Sequence, residues 1–365
     1  MQITDATRHY EAWLAQQTSI VPADLTAKHQ AMAAPHAVFP FLRATFYRWL
    51  QLWLATCPEL ATAPPVLAVG DLHVENFGTW RDAEGRLIWG VNDFDEACVL
   101  SYTHDLVRLA TSALLAIQAG HLSLPGRGAC DALLKGYADG LAEGGRPYVL
   151  EAQHHRLRTA ALGELRDPAV FWPKLDALPT IPAAEVPTPA RQALEGLLPE
   201  PGLAYRVVHR QAGLGSLGRQ RWTAIATWGG GPLAREVKAL VPSAYWWVHP
   251  NAEPDLSAYQ ALLDRAVRVP DPFVRVAGRW IVRRLAPDCS RIELAALPAG
   301  RDETRLLRAM GRETANVHLG SPAAVPAVQQ DLAHRGEDWL HAAAKAMAAV
   351  TENDWQVWRE AARHA

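Results

Sequence analysis

The sequence predicts an α+β chain of two unequal lobes, on three observations. Apolar residues keep helical spacing over the first 60 or so residues and again from Leu106. Alternating, glycine-punctuated segments fill the stretch from Tyr205 to Val282. Between the two, Asp167 to Pro201 holds eight of the chain's 26 prolines, a density that stops both helix and sheet from propagating. At 365 residues the chain is about twice a typical domain, long enough for each lobe to bury a core.

Taken in order, Phe39, Phe41, Leu42, Phe46, Trp49, Leu50 and Trp53 make an apolar helical face that ends before Pro58. Val66 to Val69 read as a short buried strand running into Gly70-Asp71. A turn at Gly85 joins Thr79-Trp80 to Leu87 to Val91 as a hairpin. Leu106, Leu109, Ala110, Ala113, Leu114 and Ile117 then keep helical spacing, and helices are expected to about residue 166. Residues 1–166 thus form a helical lobe with a small sheet, and 167–202 a Pro-rich connector. Residues 203–288 form a five-stranded antiparallel lobe from Tyr205 to Gln211, Gln220 to Trp228, Leu233 to Leu240, Phe273 to Val276 and Trp280 to Val282, with a helix from Leu256 to Val267. Residues 289–365 return as helices, Leu307, Met310, Gly311, Thr314 and His318 marking one stripe.

Several function classes fall away on composition. Lys plus Arg (36) nearly balance Asp plus Glu (38), so no chain-wide positive field exists to gather nucleic acid or anionic lipid. Cys57, Cys98, Cys130 and Cys289 lie too far apart for a zinc spacing and suit a reducing cytoplasm. The N-terminus lacks a basic and apolar leader, and the best apolar run, Leu106 to Ile117, is broken by Arg108, so a cytoplasmic chain with no membrane partner is expected.

Two constellations could do chemistry. The first runs Gly70-Asp71-Leu72-His73-Val74-Glu75-Asn76 and resumes after the hairpin as Asn92-Asp93-Phe94-Asp95-Glu96. Carboxylates this dense repel one another unless a cation or a donor network holds them. Magnesium is the expected guest, with Asn76 and Asp93 as ligands and Asp71 accepting a proton from a hydroxyl. His73 could serve as a ligand in a metal hydrolase, although a hydrogen bond within its own loop is expected. The second is Gly213-Leu214-Gly215-Ser216-Leu217-Gly218. A dinucleotide-binding version would open a helix, whereas the residues that follow alternate like a strand, so these glycines turn a hairpin whose N–H groups can cover phosphates. Lys238, one strand later, would point beneath that turn. Arg43 is expected to pair with an acidic neighbour, and Arg283 and Arg284 to line a hinge or acceptor site or to face water.

Together these residues resemble the protein-kinase-like superfamily, closest to its aminoglycoside phosphotransferase and choline kinase branch. Asp71 to Asn76 with Asp93-Phe94 resembles the catalytic loop and metal-binding segment. Gly213, Gly215, Ser216 and Gly218 resemble the glycine-rich loop, and Lys238 the lysine of the third strand. Asp105 is similar to the aspartate that braces the catalytic loop. With Phe41-Leu42-Arg43 and Asn92 to Ala97, the chain is also similar to the uncharacterised bacterial family called domain of unknown function 2252. The order is rotated, since kinases place glycine loop and lysine before the catalytic loop, so the resemblance implies a circularly permuted bilobal kinase-like fold. No glutamate partner for Lys238 is identifiable, the Leu256 to Val267 helix offering only Asp264.

What the resemblance implies is an ATP- and Mg2+-dependent phosphotransferase acting on a hydroxyl of a small molecule or peptide. Asp71, Asn76 and Asp93 would be catalytic. Gly213, Gly215, Ser216, Gly218 and Lys238 would bind nucleotide, and His73, Asp95, Glu96 and Asp105 would support them. Alternatives are a nucleotidyl (AMP) transferase of the same fold, a non-catalytic ATP-binding module, or a metal-dependent hydrolase.

Overall fold

The computed structural model describes residues 1–151, 157–158, 161, 165–251, 253–289 and 302–364. It is an α+β fold, about half helical, with every strand pairing antiparallel. The strands are β1 (Pro65–Ala68), β2 (Phe77–Arg81), β3 (Leu87–Val91), β4 (Cys98–Ser101), β5 (Tyr148–Val149), β6 (Thr180–Ile181), β7 (Tyr205–Val208), β8 (Arg221–Trp228), β9 (Gly231–Ala239), β10 (Arg275–Ala277) and β11 (Trp280–Leu285). They form a pair β1-β4, a three-stranded sheet β2-β3-β5, and a six-stranded sheet ordered β10-β11-β9-β8-β7-β6.

The largest core draws on both ends of the chain. The N-terminal helices, the helix Tyr102–Gln118, buried as far as Ala116, Gly126–Ala142, Glu303–His318 and the long C-terminal helix Trp339–Arg363 share one apolar cluster. Glycines let two of these helices touch closely: a methyl at Gly136 would lie 2.0 Å from Arg308 O, and one at Gly311 2.0 Å from Leu133 O. The six-stranded sheet has two smaller clusters of its own, Val207, Trp222, Val237 and Val282 on one face, and Val208, Ile225, Ala234 and Leu285 on the other.

The Pro-rich stretch differs from its reading as a connector. Helices Pro168–Asp176 and Thr188–Glu195 close those two clusters with Phe171, Leu175, Ala190 and Leu194, and β6 adds the sheet's sixth strand. Proline density misleads here because Pro168 and Pro189 stand in the first turns, where no N–H partner is lost, and Asp167 caps its helix by accepting from Ala169 N at 2.8 Å. The other differences are smaller. β5 extends the first hairpin, and β11 runs on to Leu285, so Arg283 and Arg284 lie within a strand. Among the described residues no helix is long and apolar enough to cross a membrane.

Candidate functional site

The loop between β1 and β2 is fixed from below. Asp105, in the first turn of Tyr102–Gln118, accepts from Val69 N at 2.7 Å and Gly70 N at 2.9 Å. His318, at the end of Glu303–His318, lies 3.1 Å from the same carboxylate and 2.8 Å from Tyr137 Oη. Burial pushes the Asp105 carboxyl up, but His104 and His318 outweigh it and hold it well below the usual range. Gly70 is required at the loop's entry: its φ is 81°, and a side chain there would meet Glu96 O at 2.3 Å.

This frame delivers Asp71 into the interior. Arg108, whose side chain is fully buried, donates from Nε to Asp71 Oδ1 at 2.8 Å and from Nη2 to Leu42 O at 2.9 Å. Burial nevertheless pushes the Asp71 carboxyl up to about 6, Arg108 pulling it down and Glu96 and Asp93 adding repulsion. Asn76 ties the two halves of the acidic motif together, its Nδ2 donating to Asp71 O at 3.1 Å and Asp93 O at 3.3 Å. His73 turns inward, its Nδ1 accepting from Glu75 N at 3.2 Å, and Glu75 pairs with Arg43 at 2.5 Å.

The residues that follow β3 divide between two openings. Asp93 and Asp95 line a cavity of about 40 Å3 with Asp71, His73 and Asn76, whereas Asn92 and Phe94 line a second of about 220 Å3. Gly213 borders both. Across from these carboxylates stands the six-stranded sheet. Lys238 on β9 places Nζ 3.7 Å from Asp93 Oδ1 and pairs more closely with Asp95. Burial draws the Lys238 ammonium below its ordinary value, with Asp93 and Asp95 opposing. Arg219 binds Glu96 at 2.6 Å, and Glu96 also accepts from Ala244 N at 2.7 Å. The structure thus brings the acidic loop, the glycine turn and Lys238 to one place, although Lys238 follows Asp93 by well over a hundred residues.

The glycine segment joins β7 to β8 as a 3-10 turn rather than a tight hairpin. Ser216 faces inward: its N–H donates to Gly213 O at 2.9 Å, and its Oγ accepts from Arg221 at 2.9 Å. Gly215 lies against the acidic loop, where an added methyl would be 3.0 Å from Arg43 O and 3.4 Å from Asp71 Oδ2. Gly218 O accepts from Val21 N at 2.9 Å.

Four charged residues outside the sequence motifs complete the site. Arg108 holds Asp71. Lys28, buried on Pro22–Ala33, donates from Nζ to Gly215 O at 3.3 Å, and burial lowers its ammonium to about 8. Arg219 binds Glu96. Glu236, two residues before Lys238 and completely buried, accepts from Arg210 and Arg221 at 2.6 Å and from Arg283 at 2.8 Å. Asp264 instead accepts from Gln260 at 2.7 Å on an exposed helix face. Among the described residues no three His, Cys, Asp or Glu side chains stand where they could hold a metal by themselves.

Residues 20–170, about two fifths of the chain, match a family model described as an uncharacterized protein conserved in bacteria (DUF2252). The matched segment carries Asp71, Asn76 and Asp93 and ends before the glycine turn and Lys238. No curated protein matches the chain, and no solved structure does.

Proposed function

We propose that this chain is an ATP- and magnesium-dependent phosphotransferase acting on a hydroxyl of a small molecule or peptide, folded as a circular permutation of the two-lobed kinase-like architecture. The observation that carries the reading is Lys238 of the six-stranded sheet standing 3.7 Å from Asp93 of the helical part. An amine from one body and carboxylates from the other, with a glycine turn above them, make the charge pattern that phosphoryl transfer requires.

The residues fit magnesium. Asp95 Oδ1 is buried and has no hydrogen-bond partner, an oxygen that a hard cation would satisfy, and Asp93 stands beside it. Magnesium is usually held by one or two carboxylates and the substrate's own phosphates, so a dedicated protein cage is not needed. Asp93, Asp95 and Asn76 would hold it, and it would supply charge neutralisation for the phosphates. Lys238 would neutralise further phosphate charge. Asp71 is held through Oδ1 by Arg108, which leaves Oδ2, toward Gly215, to orient an acceptor hydroxyl.

The test is magnesium-dependent ATP turnover, with products identified by mass. ADP with a phosphorylated acceptor supports phosphoryl transfer, whereas pyrophosphate with an acceptor carrying AMP would mean nucleotidyl transfer by the same site. Asp71→Asn should lose turnover and keep ATP binding, whereas Asp93→Asn should need more magnesium for whatever turnover it keeps. Undiminished turnover in Asp71→Asn, or no ATP binding by the wild-type chain, overturns the reading.

A further inference from the structure

The second cavity differs in chemistry from the acidic one. Its wall carries Arg166, Arg210, Arg268, Arg283 and Arg284 against a single carboxylate, Asp271. Arg210 and Arg283 share Glu236 with Arg221, and Arg284 shares Asp288 with Arg81. Arg268 is the most telling. Its guanidinium lies 4.8 Å from the Trp80 ring centre and 5.0 Å from that of Phe94, and its Nε and Nη1 are buried without a hydrogen-bond partner. A buried guanidinium without acceptors is costly unless an anion supplies them.

We propose that this cavity binds a small phosphorylated molecule. Guanidinium groups present planar forks that match phosphate oxygens two at a time, and a phosphomonoester brings three acceptors and close to two negative charges. A cluster with several cations in excess calls for that charge density rather than a lone carboxylate. About 220 Å3 is below the roughly 300–1,000 Å3 of sites that enclose drug-sized ligands, which limits the occupant to a small ester or a diphosphate group. Leu263, Val274, Tyr259 and Phe94 would receive its less polar part. The inference stands on this cavity alone and survives even if the neighbouring site transfers no phosphate.

Calorimetric titration of the full chain with pyrophosphate tests it. Saturable binding is expected, weakened at least about tenfold in Arg268→Gln and in Arg284→Gln, since each removes charge-assisted hydrogen bonds. Asn92→Asp adds a negative charge to the cavity wall with almost no change in size and should weaken binding about threefold or more. It guards against an arginine variant that merely misfolds, and circular dichroism checks each fold. Binding should persist in EDTA, which separates this proposal from the magnesium-dependent phosphotransfer reading. Competition by Mg-ATP would identify the occupant as a nucleotide's phosphate tail, and independent binding would identify it as a separate phosphorylated molecule. Either supports the cavity as an anion site. No saturable binding, or unchanged affinity in both Arg268→Gln and Asn92→Asp, overturns it.

Discussion

Arg108 meets Asp71 across the inside of the helical body, Nε to Oδ1 at 2.8 Å, with Phe46 and Trp49 rings 5.0 and 4.8 Å from the guanidinium. The first carboxylate of the acidic loop is therefore neutralised by a core helix and not by anything in the opening. A buried pair of this kind is expensive to break from one side only. Arg108→Met should cost about 3–5 kcal/mol in urea unfolding, because it strands a buried carboxylate. Adding Asp71→Leu should recover at least half of that loss. A single variant as stable as wild type would show that the pair contributes nothing to the fold.

The glycine turn is anchored at its far end by shape. Gly218 has a φ of 98°, and a methyl there would lie 2.5 Å from Leu25 Cδ2 on the helix Pro22–Ala33. Gly218→Ala combines backbone strain with that collision and should cost about 2 kcal/mol or more. Leu25→Ala in the same chain removes the collision and leaves the strain. The double-mutant cycle should then show a favourable coupling of at least about 0.5 kcal/mol. Strict additivity would mean that the turn does not seat on Leu25.

Much of this arrangement is legible in the sequence, and the illegible part has a common cause. Alternation and turn glycines mark the strands from Tyr205 to Val282, because half-buried strands keep a period of two wherever they end up. Glu236 and Lys238 are two apart on one strand and so share a face, a signal that would have placed the glutamate beside the lysine. Arg108 interrupts an otherwise apolar helical run, and that lone charge is the sequence trace of a buried partner. Lys28 leaves no such trace, since its helix is polar and its burial is made by the distant glycine turn. No local pattern foretells that Asp93 and Lys238 meet, because tertiary packing alone decides it. The helices of 167–202 are hidden by prolines whose meaning depends on which turn they occupy.

Glu236 is the most heavily paired carboxylate on the sheet, accepting from Arg210, Arg221 and Arg283. Burial pushes its carboxyl up, but the three guanidinium groups outweigh that and hold it well below the ordinary range. Glu236→Gln leaves three cations facing one another and should cost about 3–5 kcal/mol at pH 7. A depressed carboxyl stabilises the fold above its unfolded value and loses that contribution as pH falls. The gap between wild type and variant should therefore narrow once the pH drops below about 4.3. A gap that stays constant with pH would show that the charge of Glu236 is not what the arginines need.

Glu313 behaves in the opposite sense. It is 2 % exposed, accepts from Val91 N at 3.2 Å and Asn316 Nδ2 at 2.8 Å, and burial raises its carboxyl to about 7, with Asn316 and Arg268 drawing it down. Between the unfolded value and about 7 the folded chain keeps a proton that the unfolded chain has released. Stability from this group is thus complete in mild acid and falls as the pH rises to about 7. Glu313→Gln holds a neutral side chain of the same shape at every pH. The variant should gain on wild type as the pH is raised from 4.5 to 8, by up to about 3 kcal/mol if the whole shift is expressed. Urea midpoints measured across that range, with unchanged slopes, are the check. If the difference between the two chains does not move with pH, Glu313 is ionised in the fold.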